Sequence, residues 1–361
     1  MAPTNKALVL MAPKSHTQTI SPAPYSHPST NEIVIKTHAV AINPVDYGVQ
    51  RMGVLVPEDA YPCILGCDVA GEVVELGDSM SHFKKGDRVI AQTGPIDTKH
   101  WKDTDKIYAY AAFQTYVVLR GSLIARIPDS VNYEDAVVLP LGIATAASCL
   151  FPATLLNLDF PPPDRNAEQK DKILLVWGAS SSVGSSGVQL ATQAGYSVIG
   201  MCSPRNFDMV TSLGAVKCFD HASPNVVDDV VSYVKGTELK VVGAYDAIST
   251  ALTVPPLCDI LHRLATDTGK STRKFIAAVF PGAEAHAKHE VEVIVNLTQG
   301  MEQFNSTTAR IAPWLETALA DGRIKCAPEK DVIGDGLEVV QPAMDKLAEG
   351  KVSGRKLVVR L

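Results

Sequence analysis

Short apolar runs alternate with amphipathic segments through the second half of the chain. The runs have the length of buried strands, and the segments between them have the apolar spacing of helices. This alternation predicts an α/β fold with a parallel, doubly wound sheet and helices on its faces. The predicted strands cover residues 172–177, 197–202, 215–220, 243–248 and 274–280.

The first part of the chain has a different pattern. Short β-rich runs, such as 32–40, 69–76 and 88–91, are separated by turn sequences that include Gly77-Asp78 and Gly86-Asp87. Such punctuation predicts a small, mostly antiparallel β domain. Because 361 residues exceed what one ordinary core holds, two domains are expected.

The stretch 173–204 is predicted as a strand, a small-residue turn, a helix and a second strand. Gly178, Gly184 and Gly187 allow close backbone approach, and Ser181 stands where the middle glycine of a dinucleotide-binding turn would be. Serine is still small, and its hydroxyl can donate to a phosphate. An ordinary strand-to-helix turn is the alternative, but the flanking elements favour a pyrophosphate on the helix amino terminus.

The end of the second strand in this stretch distinguishes between the two nicotinamide cofactors. An NAD site usually has Asp or Glu there to bind the ribose hydroxyls. This chain has Ser203, Pro204, Arg205 and Asn206 instead. A hydroxyl and a guanidinium bind a 2′-phosphate, which a carboxylate would repel, so NADPH is predicted. A solvated surface arginine is the alternative.

Composition and charge exclude several classes of function. The apolar share of 46%, the charged share of 20% and the net charge of −6 are typical of a soluble globular protein. The chain has no basic patch that would predict nucleic-acid binding, and no apolar run approaches the roughly twenty residues of a membrane span. Its amino terminus lacks a secretory pattern, and its seven scattered cysteines are typical of reduced thiols. We therefore expect a cytoplasmic protein without a disulfide framework.

The order of segments resembles the medium-chain dehydrogenase/reductase superfamily over nearly the whole chain. The resemblance is to its zinc-independent branch of quinone and enoyl reductases. The final segment and residues 203–206 are most similar to fungal trans-acting enoyl reductases that serve polyketide synthases. The matching pieces are AINPVDY at 41–47, PCILGCDVAGEVVELG at 62–77, FKKGDRV at 83–89, LPLGIATAA at 139–147, GASSSVG at 178–184 and GKVSGRKLVVRL at 350–361.

This resemblance implies a discontinuous first domain. Residues 1–135 and 310–361 would form a GroES-like β domain, and residues 136–309 a Rossmann NADP-binding domain. Nicotinamide and substrate would then meet in the cleft between the domains. The residues implied to contact the cofactor are Pro44, Val45, Asp46, Tyr47, Ser180, Ser181, Ser182, Val183, Ser203, Pro204, Arg205, Asn206, His221, Val352 and Ser353.

His221 departs from the family pattern. Similar reductases often have a tyrosine at this position near the adenosine, which leaves the role of the histidine open. A core or surface histidine is the alternative.

The oligomeric state is also open, since related proteins are monomers or homodimers.

The residues that would hold a catalytic zinc differ from those of the zinc enzymes. Asn43, Pro44 and Asp46 stand where those enzymes have a cysteine, and Gly66-Cys67-Asp68 replaces their GlyHisGlu segment. The four-cysteine lobe is also absent, because residues 94–112 contain no cysteine. Cys63, Cys67 and Asp68 are the alternative ligands, but a catalytic site needs three ligands and an open position. No metal is predicted.

Without a metal, the resemblance implies hydride addition to an activated carbon–carbon double bond. NADPH would deliver hydride to the carbon β to a carbonyl, hydrogen-bond donors would hold the enolate, and a proton would add at the α carbon. Thr145 is the candidate to orient the carbonyl, and Tyr47 is the candidate proton donor. The segment implied to contact substrate comprises Pro140, Leu141, Gly142 and Thr145.

Each of these candidates has an alternative. Thr145 would otherwise be a helix threonine that bonds back to the preceding turn, and solvent would replace Tyr47 as the proton donor. Asp46 is expected to fix its loop through backbone hydrogen bonds, since an exposed carboxylate is ionised at neutral pH.

Three hypotheses of function remain open. The first is an NADPH-dependent enoyl or enone reductase, acting on a small-molecule or carrier-bound acyl substrate with a polyketide synthase as its partner. The second is a quinone or alkenal reductase of detoxifying type. The third is an NADPH-binding protein with little catalysis.

Overall fold

The structure is a computed structural model that describes residues 3–93, 107–165, 167–267, 269 and 271–361. The cysteine-free segment 94–112, where zinc enzymes are expected to carry a four-cysteine lobe, therefore lies largely outside the described residues. The described chain divides into two compact units, of which the first comprises Met1–Leu141 with Glu329–Leu361 and the second Gly142–Pro328.

The first unit begins as the predicted antiparallel β domain. Strand β3 (Ile33–Ala41) pairs with β5 (Asp68–Leu76) and β7 (Tyr116–Leu119). Strand β5 also pairs with β6 (Arg88–Gln92), and β6 pairs with β8 (Ile124–Arg126); all these pairs are antiparallel. Its core is aliphatic and aromatic, with Ile33, Ile35, Val69 and Phe113 buried together. The elements are β1 (Asn5–Leu10), β2 (Thr19–Ala23), β3 (Ile33–Ala41), α1 (Pro44–Met52), β4 (Cys63–Ile64), β5 (Asp68–Leu76), β6 (Arg88–Gln92), β7 (Tyr116–Leu119), β8 (Ile124–Arg126) and α2 (Tyr133–Ala136).

The second unit contains the predicted doubly wound sheet. Its elements are α3 (Pro140–Leu150), which begins in the first unit, β9 (Lys172–Trp177), α4 (Ser182–Gln193), β10 (Ser197–Cys202), α5 (Phe207–Ser212), β11 (Ala215–Asp220), α6 (Val226–Lys235), β12 (Lys240–Asp246), α7 (Val254–Thr266), β13 (Phe275–Ala278), β14 (Glu292–Val295) and α8 (Met301–Ala320). Within the described residues the strands are parallel in the order β11-β10-β9-β12-β13-β14. The order reverses between β9 and β12, which is where such sheets bind ligands.

The strands of this sheet end in register. Direct neighbours across the sheet form one continuous row, and the row lies at or next to the carboxyl end of every strand. Ligand-binding loops that follow the strands therefore start from one common edge. The row is Phe219, Met201, Trp177, Asp246, Ala278 and Val295.

Small residues allow α4 to lie close to the sheet. A Cβ atom added at Gly184 would lie 2.1 Å from the Gly178 carbonyl oxygen, and one at Gly187 would lie 2.5 Å from the ring of Tyr245. Any larger residue would push the helix away from the strand. The two glycines thus fix how closely the helix amino terminus follows β9.

The chain finally returns to the first unit through β15 (Glu329–Asp335), α9 (Val340–Ala348) and β16 (Arg355–Arg360). Strand β16 pairs antiparallel with β3 and parallel with β15. The structure assigns residues 310–328 to the second unit, whereas the sequence analysis expected them in the first. Helix α8 buries Trp314 and Leu315, and Gln189 of α4 bonds to the backbone of Lys325. The other boundary lies at Leu141, six residues beyond the expected 135.

One stretch of the described chain, Tyr133–Leu150, is long and apolar enough to cross a membrane by length and composition. It consists of α2, a turn and α3, and 72% of it is buried inside the protein. A core segment meets the same criteria, and its burial identifies this one as a core segment.

A buried ion pair fixes the returning strand in the first unit. The Lys356 ammonium on β16 lies 3.0 Å from the carboxylate of Asp68 on β5, and the two residues are 3% and 0% exposed. Asn43 donates to the same carboxylate oxygen at 2.9 Å and accepts from Lys356. The other oxygen of Asp68 accepts from the Leu141 amide at 2.6 Å. Every buried charge here has a partner, as burial requires.

Breaking this pair on one side should destabilise the protein strongly. Lys356→Met leaves the Asp68 carboxylate buried without its cation, and the expected loss in unfolding free energy is about 3–5 kcal/mol. The double variant Lys356→Met with Asp68→Asn should recover most of that loss, because neither charge remains. Urea denaturation measures both.

The exposed pair Lys351–Glu349 supplies a matched control in the same unit. Lys351→Met should cost less than about 1 kcal/mol. A loss of that size for Lys356→Met as well would contradict a structural role for the buried pair.

Candidate functional site

The turn between β9 and α4 presents a helix amino terminus. Ser180, Ser181, Ser182 and Val183 are half-buried, whereas the helix is buried from Gly184 to Ala191. Ser181 is the N-cap, and its hydroxyl accepts from the Gly184 amide at 3.0 Å. The first turn contains no acidic residue. Amides of a first helical turn lack acceptors within the helix, so this terminus suits an anionic group such as a pyrophosphate.

The loop after β10 meets the same edge. Asn206 donates to the hydroxyl of Ser180 at 3.1 Å, and the hydroxyl of Ser203 lies 3.1 Å from Nε2 of His221. The structure therefore links four of the predicted cofactor residues in pairs. Pro204 and Arg205 are exposed in a short 3-10 helix between them. His221 is exposed and contacts Ser203, and its role toward a cofactor stays open.

The edge of the sheet has a polar half and an apolar half. Two residues beyond the aligned row, β10 and β11 lead to Ser203 and His221. At the same distance, β12, β13 and β14 lead to Ile248, Phe280 and Leu297, which are 40%, 52% and 43% exposed. A dinucleotide cofactor has the same asymmetry, with phosphates toward one end and an uncharged nicotinamide ring at the other. The residues present therefore fit such a cofactor.

The segment predicted to contact substrate begins α3. Pro140 and Gly142 are buried, and Leu141 and Thr145 are half-buried. A Cβ at Gly142 would lie 2.7 Å from the hydroxyl of Ser186, so glycine is required where α3 meets α4. Among the described residues, the Thr145 hydroxyl makes no hydrogen bond to the preceding turn. The Thr145 hydroxyl is therefore not hydrogen-bonded within α3.

Helix α1 of the first unit carries the predicted Pro44, Val45, Asp46 and Tyr47. Pro44 is exposed, Val45 and Tyr47 are half-buried, and the Tyr47 ring lies near the Arg51 guanidinium. Val352 and Ser353 also belong to the first unit, in the segment that precedes β16. Val352 packs partly against its core, and Ser353 is exposed.

The expectation that Asp46 is exposed was wrong. Its side chain is 2% exposed, because α1 packs this residue inward beside β5. Burial raises the pKa of Asp46 to about 7. The hydrogen bond from the backbone N–H of Asn43 lowers this pKa, and the nearby charge of Asp68 raises it further. The expected backbone bond is present, since the Asn43 amide donates to Asp46 at 2.8 Å. Asp46 thus fixes the start of α1 from a buried position.

The donors near Asp46 do not fit a three-ligand zinc site. Burial raises the pKa of the Cys67 thiol well above its usual range, and it raises that of Cys63 to about 12. The Asp68 carboxylate is already engaged by the Lys356 ammonium. Among the described residues, no cluster of three His, Cys, Asp or Glu side chains is suited to a metal ion. A fixed ammonium thus stands beside the only carboxylate of the alternative ligand set Cys63, Cys67 and Asp68.

Two residues at the edge of the second sheet were not identified from the sequence. Asp246 ends β12, and its carboxylate accepts from the Ile248 and Ser249 amides and the Thr253 hydroxyl. Asn296 follows β14, and its amide donates to the hydroxyl of Ser148 on α3 at 2.7 Å. The sequence signal for both is a polar residue at the carboxyl end of an apolar run: Asp246 is the last residue of β12, and Asn296 directly follows β14. The signal was lost for Asn296 because β14 itself was not predicted.

Comparison with known proteins agrees with this architecture. Residues 29–129 match the model of the alcohol dehydrogenase GroES-like domain. The chain is 37% identical to a curated Aspergillus niger protein named dehydrogenase orf1, over 99% of both chains. It is 34% identical to the trans-enoyl reductase himH of Aspergillus japonicus, over 97% of this chain and 96% of the relative.

A solved structure has the same fold at lower identity. The quinone oxidoreductase of Pseudomonas syringae pv. Tomato DC3000 superposes with a TM-score of 0.71 at 21% identity, covering 99% of this chain and 100% of that one. This similarity concerns the fold. Together with the relatives above 30% identity, it establishes that the chain belongs to the medium-chain dehydrogenase/reductase superfamily of oxidoreductases.

Proposed function

We propose that this protein is an NADPH-dependent enoyl reductase of fungal secondary metabolism. Its substrate is an acyl chain with a carbon–carbon double bond conjugated to a thioester or ketone. The proposal includes action in trans on a chain held by a polyketide synthase, in the cytoplasm. The observation that carries it is the similarity to a trans-enoyl reductase over 97% of the chain, combined with a donor set that does not fit zinc.

The preference for NADPH is supported by the loop after β10. Members of the superfamily use a nicotinamide cofactor, and the choice between its two forms depends on charge near the adenosine ribose. This loop carries no carboxylate and has an exposed guanidinium at Arg205 beside the bonded pair of Ser203 and His221. A dianionic 2′-phosphate is bound well by a guanidinium and a hydroxyl.

The residues of this chain bind the cofactor and the substrate and polarise the substrate carbonyl. NADPH, when bound, would supply a hydride for the β carbon, and the electron pair of the double bond would move to the carbonyl oxygen of the substrate. The Thr145 hydroxyl, which its own helix does not engage, donates to that oxygen. A proton then adds at the α carbon, with Tyr47 as the predicted donor and water as the alternative.

A panel of acceptors tests this function. Purified protein should oxidise NADPH with crotonyl thioesters or enones, form the saturated product, and show slower turnover with NADH. Simple alcohols with NAD should give no turnover, because their oxidation depends on a polarising metal in the zinc enzymes. Faster turnover of free quinones or small enals would favour a detoxifying reductase. Tight NADPH binding with no turnover of any acceptor would identify a cofactor-binding protein.

The role of Thr145 has its own test. Thr145→Val removes the hydroxyl with little change in volume and should lower kcat for the thioester about 10- to 100-fold, since a donor to a developing oxyanion is lost. Thr145→Ser keeps the hydroxyl and should retain most activity. NADPH affinity should be unchanged in both variants. Equal activity of the valine and serine variants would remove Thr145 from the mechanism.

Arg205 should control the choice of cofactor. Arg205→Ala removes the exposed guanidinium, so the Kd for NADPH and for 2′,5′-ADP should rise about tenfold, with little change for NADH. Isothermal titration calorimetry measures all three. Lys235→Ala on the exposed face of α6 removes the same formal charge away from this loop. If both variants weaken NADPH binding equally, the effect is one of net charge.

The pKa of Asp46 gives a pH test of whether a metal binds its carboxylate. Its folded pKa of about 7 lies above its ordinary value of 3.8. Between about pH 4 and pH 7 the folded protein therefore holds a proton that the unfolded chain has released, so this group's contribution to stability falls as pH rises. Asp46→Asn has no titrating carboxyl at this position. Its unfolding free energy should therefore rise relative to that of the wild type as the pH increases from about 4 to about 7.

Urea denaturation at several pH values measures the difference, with Asp78→Asn on an exposed turn as the control. A metal bound to the Asp46 carboxylate would reverse the sign, because it would lower the folded pKa and make the wild type gain stability as pH rises.

A further inference from the structure

One buried acceptor lacks a partner at the strand ends of the second unit. Asn296 directly follows β14 and is 4% exposed. Its Nδ2 donates to Ser148, but its Oδ1 meets no donor among the described residues. A buried polar atom without a partner loses its hydration without compensation, so such an atom calls for an explanation.

The orientation of this amide follows from the proton of Ser148. A serine hydroxyl has one proton, and that of Ser148 is donated to the Thr145 carbonyl oxygen at 2.8 Å. The same hydroxyl oxygen accepts from Asn296 Nδ2 at 2.7 Å. In this arrangement the carbonyl end of the Asn296 amide is the end without a partner among the described residues.

The neighbouring strand ends have no comparable opening. The Asp246 carboxylate accepts from two amides and a hydroxyl. The Ser249 hydroxyl donates to the Asp246 carbonyl and accepts from the Val279 amide. The Tyr245 hydroxyl also lacks a partner among the described residues, but its ring packs against Gly187 between the sheet and α4. Of these two unpartnered groups, Tyr245 lies one residue before the aligned row, whereas Asn296 lies one residue beyond it, on the side of the loops that follow the strands.

Its position on the sheet indicates what it accepts from. Asn296 lies one residue beyond the aligned row, on the far side of the reversal between β9 and β12. A doubly wound sheet binds one half of a dinucleotide on each side of that reversal. The anion-suited turn and the loop with Arg205 lie on the β9 and β10 side. The uncharged half of the ligand then falls on the side of Asn296, Phe280 and Leu297.

We propose that Asn296 Oδ1 accepts an N–H bond from the carboxamide of the nicotinamide ring. The inference rests on the proposed function and adds a cofactor-binding residue to it. The carboxamide NH₂ is the hydrogen-bond donor of an otherwise apolar ring. An oxygen held by Ser148 is pre-positioned for it, so little ordering is needed on binding.

A binding experiment that involves no turnover tests the proposal. The ligands are NADP, its 3-acetylpyridine analogue, in which a methyl replaces the carboxamide NH₂, and 2′,5′-ADP, which lacks the ring. Wild-type protein should bind NADP about tenfold more tightly than the analogue, as expected for one buried hydrogen bond. In Asn296→Leu the preference should fall below about twofold, while the Kd for 2′,5′-ADP stays unchanged.

Gln189→Leu is the matched control. Gln189 is a buried amide on α4 whose two ends both bond to Lys325. Its loss should reduce thermal stability and leave the preference for NADP intact. Asn296→Ala serves as a second variant if circular dichroism shows that the leucine variant does not fold.

The outcomes separate the two proposals. If the wild type binds neither NADP nor 2′,5′-ADP, the proposed function fails. If the wild type binds both but does not prefer NADP over its analogue, the assignment of Asn296 fails alone. The assignment also fails if folded Asn296 variants keep the preference, or if they weaken NADP and the analogue by the same factor, as a structural role through Ser148 would.

Discussion

The parallel register of the second sheet is the constraint on which the predicted site depends. Direct pairing carries one row of residues from Phe219 to Val295, so every loop that follows a strand starts from the same edge. Backbone hydrogen bonds hold this alignment, and the buried apolar side chains of the strands select it among the possible registers. The side chains then divide the edge into the polar half around Ser203 and the apolar half around Phe280. A dinucleotide site is the chemical consequence of that division.

The first unit places ionisable groups in an environment that changes their behaviour. Asp68 lies against the Lys356 ammonium and accepts from the Asn43 side-chain amide. Asp46, close by, lacks a cation of its own, and its burial favours the protonated form near neutral pH. Cys67 between them retains its thiol proton. These groups lie in one compact arrangement, in which the Lys356 ammonium contacts the Asp68 carboxylate.

Helix α3 has groups at its start that hold it in place and a group in its middle that remains available. The carboxylate of Asp68 accepts from the amide of Leu141 in its first turn, and Gly142 permits close contact with Ser186. Ser148 is engaged by Asn296 one turn after Thr145. Among the described residues, the Thr145 hydroxyl has no such bond. The proposed orientation of a substrate carbonyl by Thr145 would use this fixed backbone and its unbonded hydroxyl.

The sequence by itself determined the strands at Lys172–Trp177, Ser197–Cys202 and Ala215–Asp220, the turn at Ser181 and the overall class of fold. These features are local, because apolar runs, small residues and helix spacing encode them directly. Strand β14 was missed because four residues between loops carry too little pattern.

The tertiary structure alone decided the burial of Asp46, the partner of Lys356, the assignment of residues 310–328 and the open oxygen of Asn296. Each depends on residues far apart in the chain. Lys356 meets Asn43 across more than three hundred positions, and no local pattern records such a meeting. The pKa of a carboxylate and the satisfaction of an amide are set by these neighbours, so they become known only when the chain has folded.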